Sequence, residues 1–256
     1  MITSTTNPQV KEILQLQKKG RARNQAGVFV VEGLRMVLEA PIEAISKLYV
    51  TVNFWEKNKA QLEVLKAVPE LVSDTVFARM SDMKTPQGVL GVIRQMNYSL
   101  EQLLKRKNAH LLVLDHLQDP GNVGTIFRTA EAAGVDGILM SEHCVDIYHP
   151  KTVRGTMGAI YRLPFVIGKL EEYLPAMKAQ GIHIYGTQLE EADNYDTMDY
   201  QKSTAFLFGN EGNGLRAEIA NHAEAFVKIP MDGQGESLNV AIAAAILMYE
   251  VRRQRQ

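Results

Sequence analysis

Short apolar runs recur along the chain, and between them apolar residues return every three to four positions. That alternation predicts strands separated by helices. In the first third, Val10, Ile13, Leu14 and Leu16 place a helix over 8–19. Residues 28–31 read as a strand ending at Glu32-Gly33, and 34–40 as a helix. Strands are expected at 48–52 and 88–93, with helices at 57–68 and 72–80. From residue 110 the pattern restarts, with strands at 111–114, 137–140, 165–167, 182–185, 205–208 and 227–229. Helices are expected at 122–133, 153–160, 170–179, 215–220 and 238–253. Apolar strands alternating with helices imply a mostly parallel sheet covered on both faces. The expected organisation is a small α/β domain over 1–97, a linker over 98–109 with the charge run Lys105-Arg106-Lys107, and a larger α/β domain over 110–256.

Composition narrows the function. The 256 residues are 46% hydrophobic and 22% charged, which excludes a disordered chain. A net charge of -1 excludes a global attraction to nucleic acid, so any such surface is a local patch. Residues 1–35 hold six basic side chains (Lys11, Lys18, Lys19, Arg21, Arg23 and Arg35) against Glu12 and Glu32, and are the expected patch. The lone Cys144 rules out a disulfide framework and a cysteine-based zinc site, and fits a reducing cytoplasm. No apolar run reaches the ~18 residues of a membrane span, so no membrane partner is expected. The histidines show no metal-ligand spacing. Trp55, Phe54 and Tyr49 read as packing residues ahead of base-stacking ones.

In parallel sheets, ligands bind beyond the strand C-termini, and three loops there stand out. The first is Asp119-Pro120-Gly121-Asn122-Val123-Gly124-Thr125-Ile126-Phe127-Arg128. Asn122 is its expected N-cap, and Thr125 and Arg128 share a helix face. The second is Gly209-Asn210-Glu211-Gly212-Asn213-Gly214. Its glycines permit a tight bend, but it matches neither Gly-x-Gly-x-x-Gly nor the phosphate loop. The third is Ile229-Pro230-Met231-Asp232-Gly233-Gln234-Gly235-Glu236-Ser237-Leu238-Asn239, which precedes an alanine-rich helix with Ser237 as its expected cap.

Together, in this order, the three loops resemble the signature motifs of the SpoU/TrmH family of SPOUT RNA methyltransferases: Asn-x-Gly-x-x-x-Arg-x-Ala, Gly-x-Glu-Gly-x-Gly and Ile-Pro-Met…Ser-Leu-Asn. Gly235, Glu236 and Ala241 depart in minor ways. The N-terminal unit, with Asn7-Pro8-x-Val10-Lys11 and Phe29-x-x-Glu32-Gly33, looks like the family's RNA-binding module. The resemblance implies an α/β fold with a trefoil-knotted SPOUT domain, S-adenosylmethionine as methyl donor, a ribose 2′-hydroxyl of structured RNA (ribosomal ahead of transfer RNA) as acceptor, and a homodimer. It implies catalytic roles for Asn122, Arg128, Glu211, Ser237 and Asn239, and cofactor contacts from Thr187, Gly209, Ile229 and Leu238. A guanidinium, charged at all accessible pH, cannot serve as a simple base. Arg128 is expected to hold an RNA phosphate and stabilise charge on the acceptor oxygen, with Glu211 pairing it. Two other readings stay open on the residues: an RNA chaperone with the same fold and no cofactor site, and a nicotinamide oxidoreductase, which lacks its glycine fingerprint here.

Overall fold

The computed structural model describes residues 1–233, 235 and 237–256. Gln234 and Glu236 of the third loop lie outside the described residues. The chain forms two units, Met1–Met96 with Asp146–Tyr161, and Asn97–Val145 with Arg162–Gln256.

The first unit is a four-stranded sheet of β1 (Val28–Glu32), β2 (Ile45–Thr51), β3 (Glu70–Val72) and β4 (Val89–Arg94), in the order β1-β4-β2-β3. Strand β4 runs antiparallel to β1 and β2, while β2 and β3 are parallel. Helices α1 (Pro8–Lys18), α2 (Gly20–Ala26), α3 (Leu34–Leu38), α4 (Val52–Leu62), α5 (Asp74–Met80) and α8 (Pro150–Thr156) complete it. Val10, Ile13 and Leu16 of α1 and Val76 and Phe77 of α5 pack with Val30, Tyr49, Leu90 and Val92 into one core. On β1 side chains alternate faces, so Phe29 points away from that core, and its ring lies 4.7 Å from that of Tyr148. Tyr148 belongs to the late segment Asp146–Tyr161. The segment is fastened by Arg23, whose Nη2 and Nε bond Asp146 at 2.5 and 3.0 Å, and by the Tyr161 hydroxyl on the Met36 carbonyl.

The second unit contains a parallel sheet of seven strands among the described residues: β5 (His110–Leu114), β6 (Gly137–Ser141), β7 (Phe165–Gly168), β8 (His183–Thr187), β9 (Asp193–Asn194), β10 (Thr204–Phe208) and β11 (Ala225–Lys228). Their order is β7-β6-β5-β10-β8-β11-β9. The helices are α6 (Leu100–Leu104), α7 (Pro120–Ala133), α9 (Leu170–Ala179), α10 (Ala217–Ala220) and α11 (Val240–Gln254). Strands β5 and β10 are buried along their whole length, as a sheet covered on both faces requires. The expected mostly parallel sheet and the separate small α/β unit are both present. Strand β10 enters between β5 and β8, so the chain returns to the middle of the sheet after laying its neighbours.

Several expected elements move. Helix α4 begins at Val52, because the Thr51 hydroxyl accepts from the Phe54 N–H. Val72 ends a strand, and Ser73 caps the helix after it. Helix α2 forms where no apolar period predicts one, since Arg23 is buried and donates to the Leu16 and Gln17 carbonyls. That burial also removes Arg23 from the expected basic patch, and Arg35 is paired with Glu39. Lys11, Lys18, Lys19 and Arg21 remain exposed.

Candidate active site

The site grows from the C-terminal ends of β5, β10, β8 and β11, which are neighbours in the sheet. Helix α7 starts one loop after β5. Asp119, not Asn122, is its N-cap: its carboxylate accepts from the Asn122 N–H at 2.8 Å. A residue three places further on is thus inside the first turn, and the Asn122 side chain is released for other contacts. Its Nδ2 donates to Glu211 at 3.0 Å, and its Oδ1 accepts from Asn239 Nδ2 at 2.9 Å. Asn239, not Ser237, caps α11, accepting from the Ala241 and Ile242 N–H groups. Because α11 packs on α7, this cap comes within reach of Asn122. One residue from each of the three motifs is therefore joined in a continuous hydrogen-bonded chain.

Glu211 is the hub. It also accepts from the Gln118 and Asp119 N–H groups, both at 3.1 Å. Burial acts to raise its carboxyl pKa, but the Asn122 amide and those backbone donors outweigh burial, and it titrates below its ordinary value of 4.5. The loop carrying it is shaped by Gly209: a β-carbon there would stand 2.1 Å from the Gly214 carbonyl carbon. Asn210 and Gly214 exchange two backbone hydrogen bonds of 2.9 Å across that loop. Asn210 Oδ1 accepts from the Gly212 and Asn213 N–H groups, and its Nδ2 donates to the His116 carbonyl. The loop ends at Arg216, whose guanidinium grips the fully buried Asp115 through Nε and Nη2 at 3.1 and 2.9 Å and reaches Glu171 at 3.0 Å. A cleft of about 440 Å³ runs along this loop, lined by His116, Gln118, Asn210, Asn213, Leu215 and Arg216 among others.

Arg128 is exposed on α7 and makes no ion pair or hydrogen bond among the described residues. The expected Glu211–Arg128 pair does not form; Glu211 accepts instead from the Gln118 and Asp119 N–H groups and the Asn122 amide. Ser237 is exposed and takes no part in the network. Three of the four expected cofactor residues stand at adjacent strand ends. Gly209 follows β10. Thr187 ends β8 and donates to the Leu207 carbonyl at 2.8 Å, and Ile229 follows β11. Neither Gly209 nor Ile229 commits its N–H or carbonyl to another described residue. Leu238, 37% exposed, precedes Asn239. These open backbone groups in a row suit a flat heterocycle with donors and acceptors on its edge.

Sequence reading missed Asp115, Asp119, Asn210 and Arg216. Asp115 carried a legible signal, an acid directly after an apolar strand, which must find a cation if buried.

Two family models match the chain, one described as the SpoU rRNA methylase family over residues 109–249 and one as the MRM3-like substrate binding domain over 7–91. The chain is 33% identical over 251 residues to the 23S rRNA (guanosine(2553)-2'-O)-methyltransferase RlmP of Bacillus subtilis, covering 98% of each. Its fold matches the AdoMet-bound rRNA methyltransferase of Sinorhizobium meliloti with a TM-score of 0.89 at 34% identity, covering 98% of this chain and 97% of that one. It also matches the SpoU methyltransferase AviRb of Streptomyces viridochromogenes in complex with AdoMet, with a TM-score of 0.88 at 27% identity, covering 97% and 98%.

Proposed function

We propose, because the chain belongs to the SpoU rRNA methylase family, that it transfers a methyl group from S-adenosylmethionine to a ribose 2′-hydroxyl of ribosomal RNA. The observation that carries this reading is the joining of Asn122, Glu211 and Asn239, which brings three separate loops to one place. The cofactor supplies an electrophilic methyl on a sulfonium centre. Gly209 and Ile229 would hold its adenine through their open backbone groups, with Thr187 and Leu238 beside them.

The remaining work falls on the chain. The acceptor hydroxyl is a weak acid: negative charge would develop on its oxygen as its proton leaves to solvent water, and would be consumed as that oxygen takes the methyl from the departing sulfur. Glu211 is poorly placed to take the proton, since its oxygens are occupied and its pKa is depressed. It acts as a clamp on the first motif. Arg128 has no ion-pair partner among the described residues, and a planar guanidinium suits both an RNA phosphate and a developing alkoxide. Stabilisation of that kind is worth about 3–4 kcal/mol for a single donor. Ser237 is left to contact RNA or the cofactor rim.

In this reading residues 1–97 bind the RNA and 110–256 carry out transfer, with the second unit knotted as in the SPOUT fold. Ribosomal RNA is favoured over transfer RNA by the B. subtilis relative. No helix among the described residues is long and apolar enough to cross a membrane, and the cytoplasm is the proposed location. A homodimer is proposed through α11, where Ile242 and Tyr249, seven residues apart on one face, are 51% and 46% exposed. Light scattering on Ile242→Glu with Tyr249→Glu checks this, with a monomer as the expected result. The function itself is tested by mapping 2′-O-methylation across total RNA from cells with and without the protein. Loss of one ribosomal RNA mark is expected, and an unchanged map would refute the reading.

A further inference from the structure

The first unit holds a second cleft, of about 430 Å³, that the transfer chemistry does not use. Its size falls in the range of small-ligand sites. Phe77, 1% exposed, lies in its wall with the half-buried Phe54. Asn53, Lys57, Asp74 and Gln87 bring two amides, an ammonium and a carboxylate to the same cleft. Among the described residues, the side chains of Asn53, Lys57 and Gln87 make no hydrogen bond or ion pair, although they stand together. The cleft is also built in advance. Gly88 has φ +91°, and a β-carbon there would lie 2.9 Å from both Phe54 Cβ and Thr51 Oγ1. The chain thus turns beside Gln87 in a way that keeps the wall close to the loop.

One part-exposed aromatic, Phe54, with amide and carboxylate edges and one cation matches the chemistry of a single splayed-out nucleotide: a π-face to pack, a hydrogen-bonding edge to read and one phosphate to neutralise. Asp74 disfavours phosphate at its own position and accepts from a base amino group, which leaves Lys57 for the phosphate. We infer that this cleft receives the base of an unpaired nucleotide of the RNA substrate, at a subsite separate from the methylated ribose. The inference rests on the RNA-methyltransferase reading above and adds to it the residues by which the small unit selects RNA.

The test uses the full chain with deproteinised ribosomal RNA and radiolabelled S-adenosylmethionine. Asn53→Ala combined with Gln87→Ala is expected to raise KM for RNA about tenfold with kcat within twofold, and to leave cofactor binding by calorimetry unchanged. Lys57→Ala is expected to lower the salt slope of RNA binding by about one. All three side chains are exposed, so matched thermal melts check the folding of each variant. With 4-thiouridine-substituted RNA, photo-crosslinks should map to residues 51–57 or 86–88. An unchanged KM in the double variant, or crosslinks confined to other residues, overturns the subsite. Failure of the unaltered protein to methylate ribosomal RNA refutes the functional reading instead, so the two failures are distinguishable.

Discussion

The motif loops of the second unit and the cleft of the first dispose their polar groups in opposite ways. In the second, Asn122, Glu211, Asn239 and Asn210 saturate one another and the backbone around them. In the first, Asn53, Lys57 and Gln87 border a cleft with no partner among the described residues. A group that must hold reacting atoms in place gains from a fixed neighbour, because a preorganised site reorganises little during reaction. A group that must exchange water for a ligand gains from having none. Arg128 is the instructive exception in the second unit: it is exposed on the helix whose first turn holds Asn122 and has no partner among the described residues, as the proposed anion contact requires.

The comparison can be broken most forcefully at Arg216. Arg216→Ala leaves the fully buried Asp115 carboxylate without its guanidinium, and the chain should lose roughly 3–5 kcal/mol in urea unfolding. Arg128→Ala should leave stability within about 0.5 kcal/mol, as exposed substitutions usually do. It should lower kcat/KM for RNA by about 10²–10³ with unchanged cofactor affinity. Arg128→Lys should recover little, since the fork geometry is lost. Glu211 is exposed, so Glu211→Gln is expected to cost only about 0.5–1 kcal/mol in stability, with turnover falling as the first motif loosens.

Acid unfolding sharpens the same contrast. His110 is buried beside Phe206. Burial, aided by the Arg255 charge, lowers its pKa from 6.5 to about 3. The unfolded chain therefore takes up this proton well before the folded one. The resulting stability is fully present above pH 6.5 and is lost as pH falls toward 3. Glu211 has the same sign, with a window beginning near 4.5 and lying below it. His110→Phe should flatten the stability profile between pH 6.5 and 4.5 and leave the lower limb in place, as followed by chemical denaturation at each pH.

How much of this was legible follows from what kind of interaction fixes each part. Strands β5, β10 and β4 announce themselves as apolar runs, since burial on both faces leaves no polar positions. The three motif loops were legible as residue strings, yet their wiring was not. Asp119 and Asn122 are both good capping residues, and only the observed backbone decides that Asp119 takes the helix and Asn122 the carboxylate. The same competition places Asn239 ahead of Ser237. The docking of Asp146–Tyr161 with the first unit rests on the Arg23–Asp146 pair, 123 residues apart, and no local period encodes a contact at that range. Helix α2 is hidden for the same reason, because the side chain that anchors it is an arginine.

Helix α11 is fastened at both ends. Asn239 caps one end and holds Asn122. At the other, Arg255 donates to the Tyr200 carbonyl at 2.9 Å, the Asn108 carbonyl at 2.7 Å and the Lys202 carbonyl. These lie just ahead of β5 and β10, whose far ends carry the first two motifs. A 15-residue helix spans about 22 Å, so it works as a tie rod running from the C-terminal ends of β5 and β10 back to their starts. Slackening the bolt at Arg255 should be felt as play in the motif loops at the other end of the same strands.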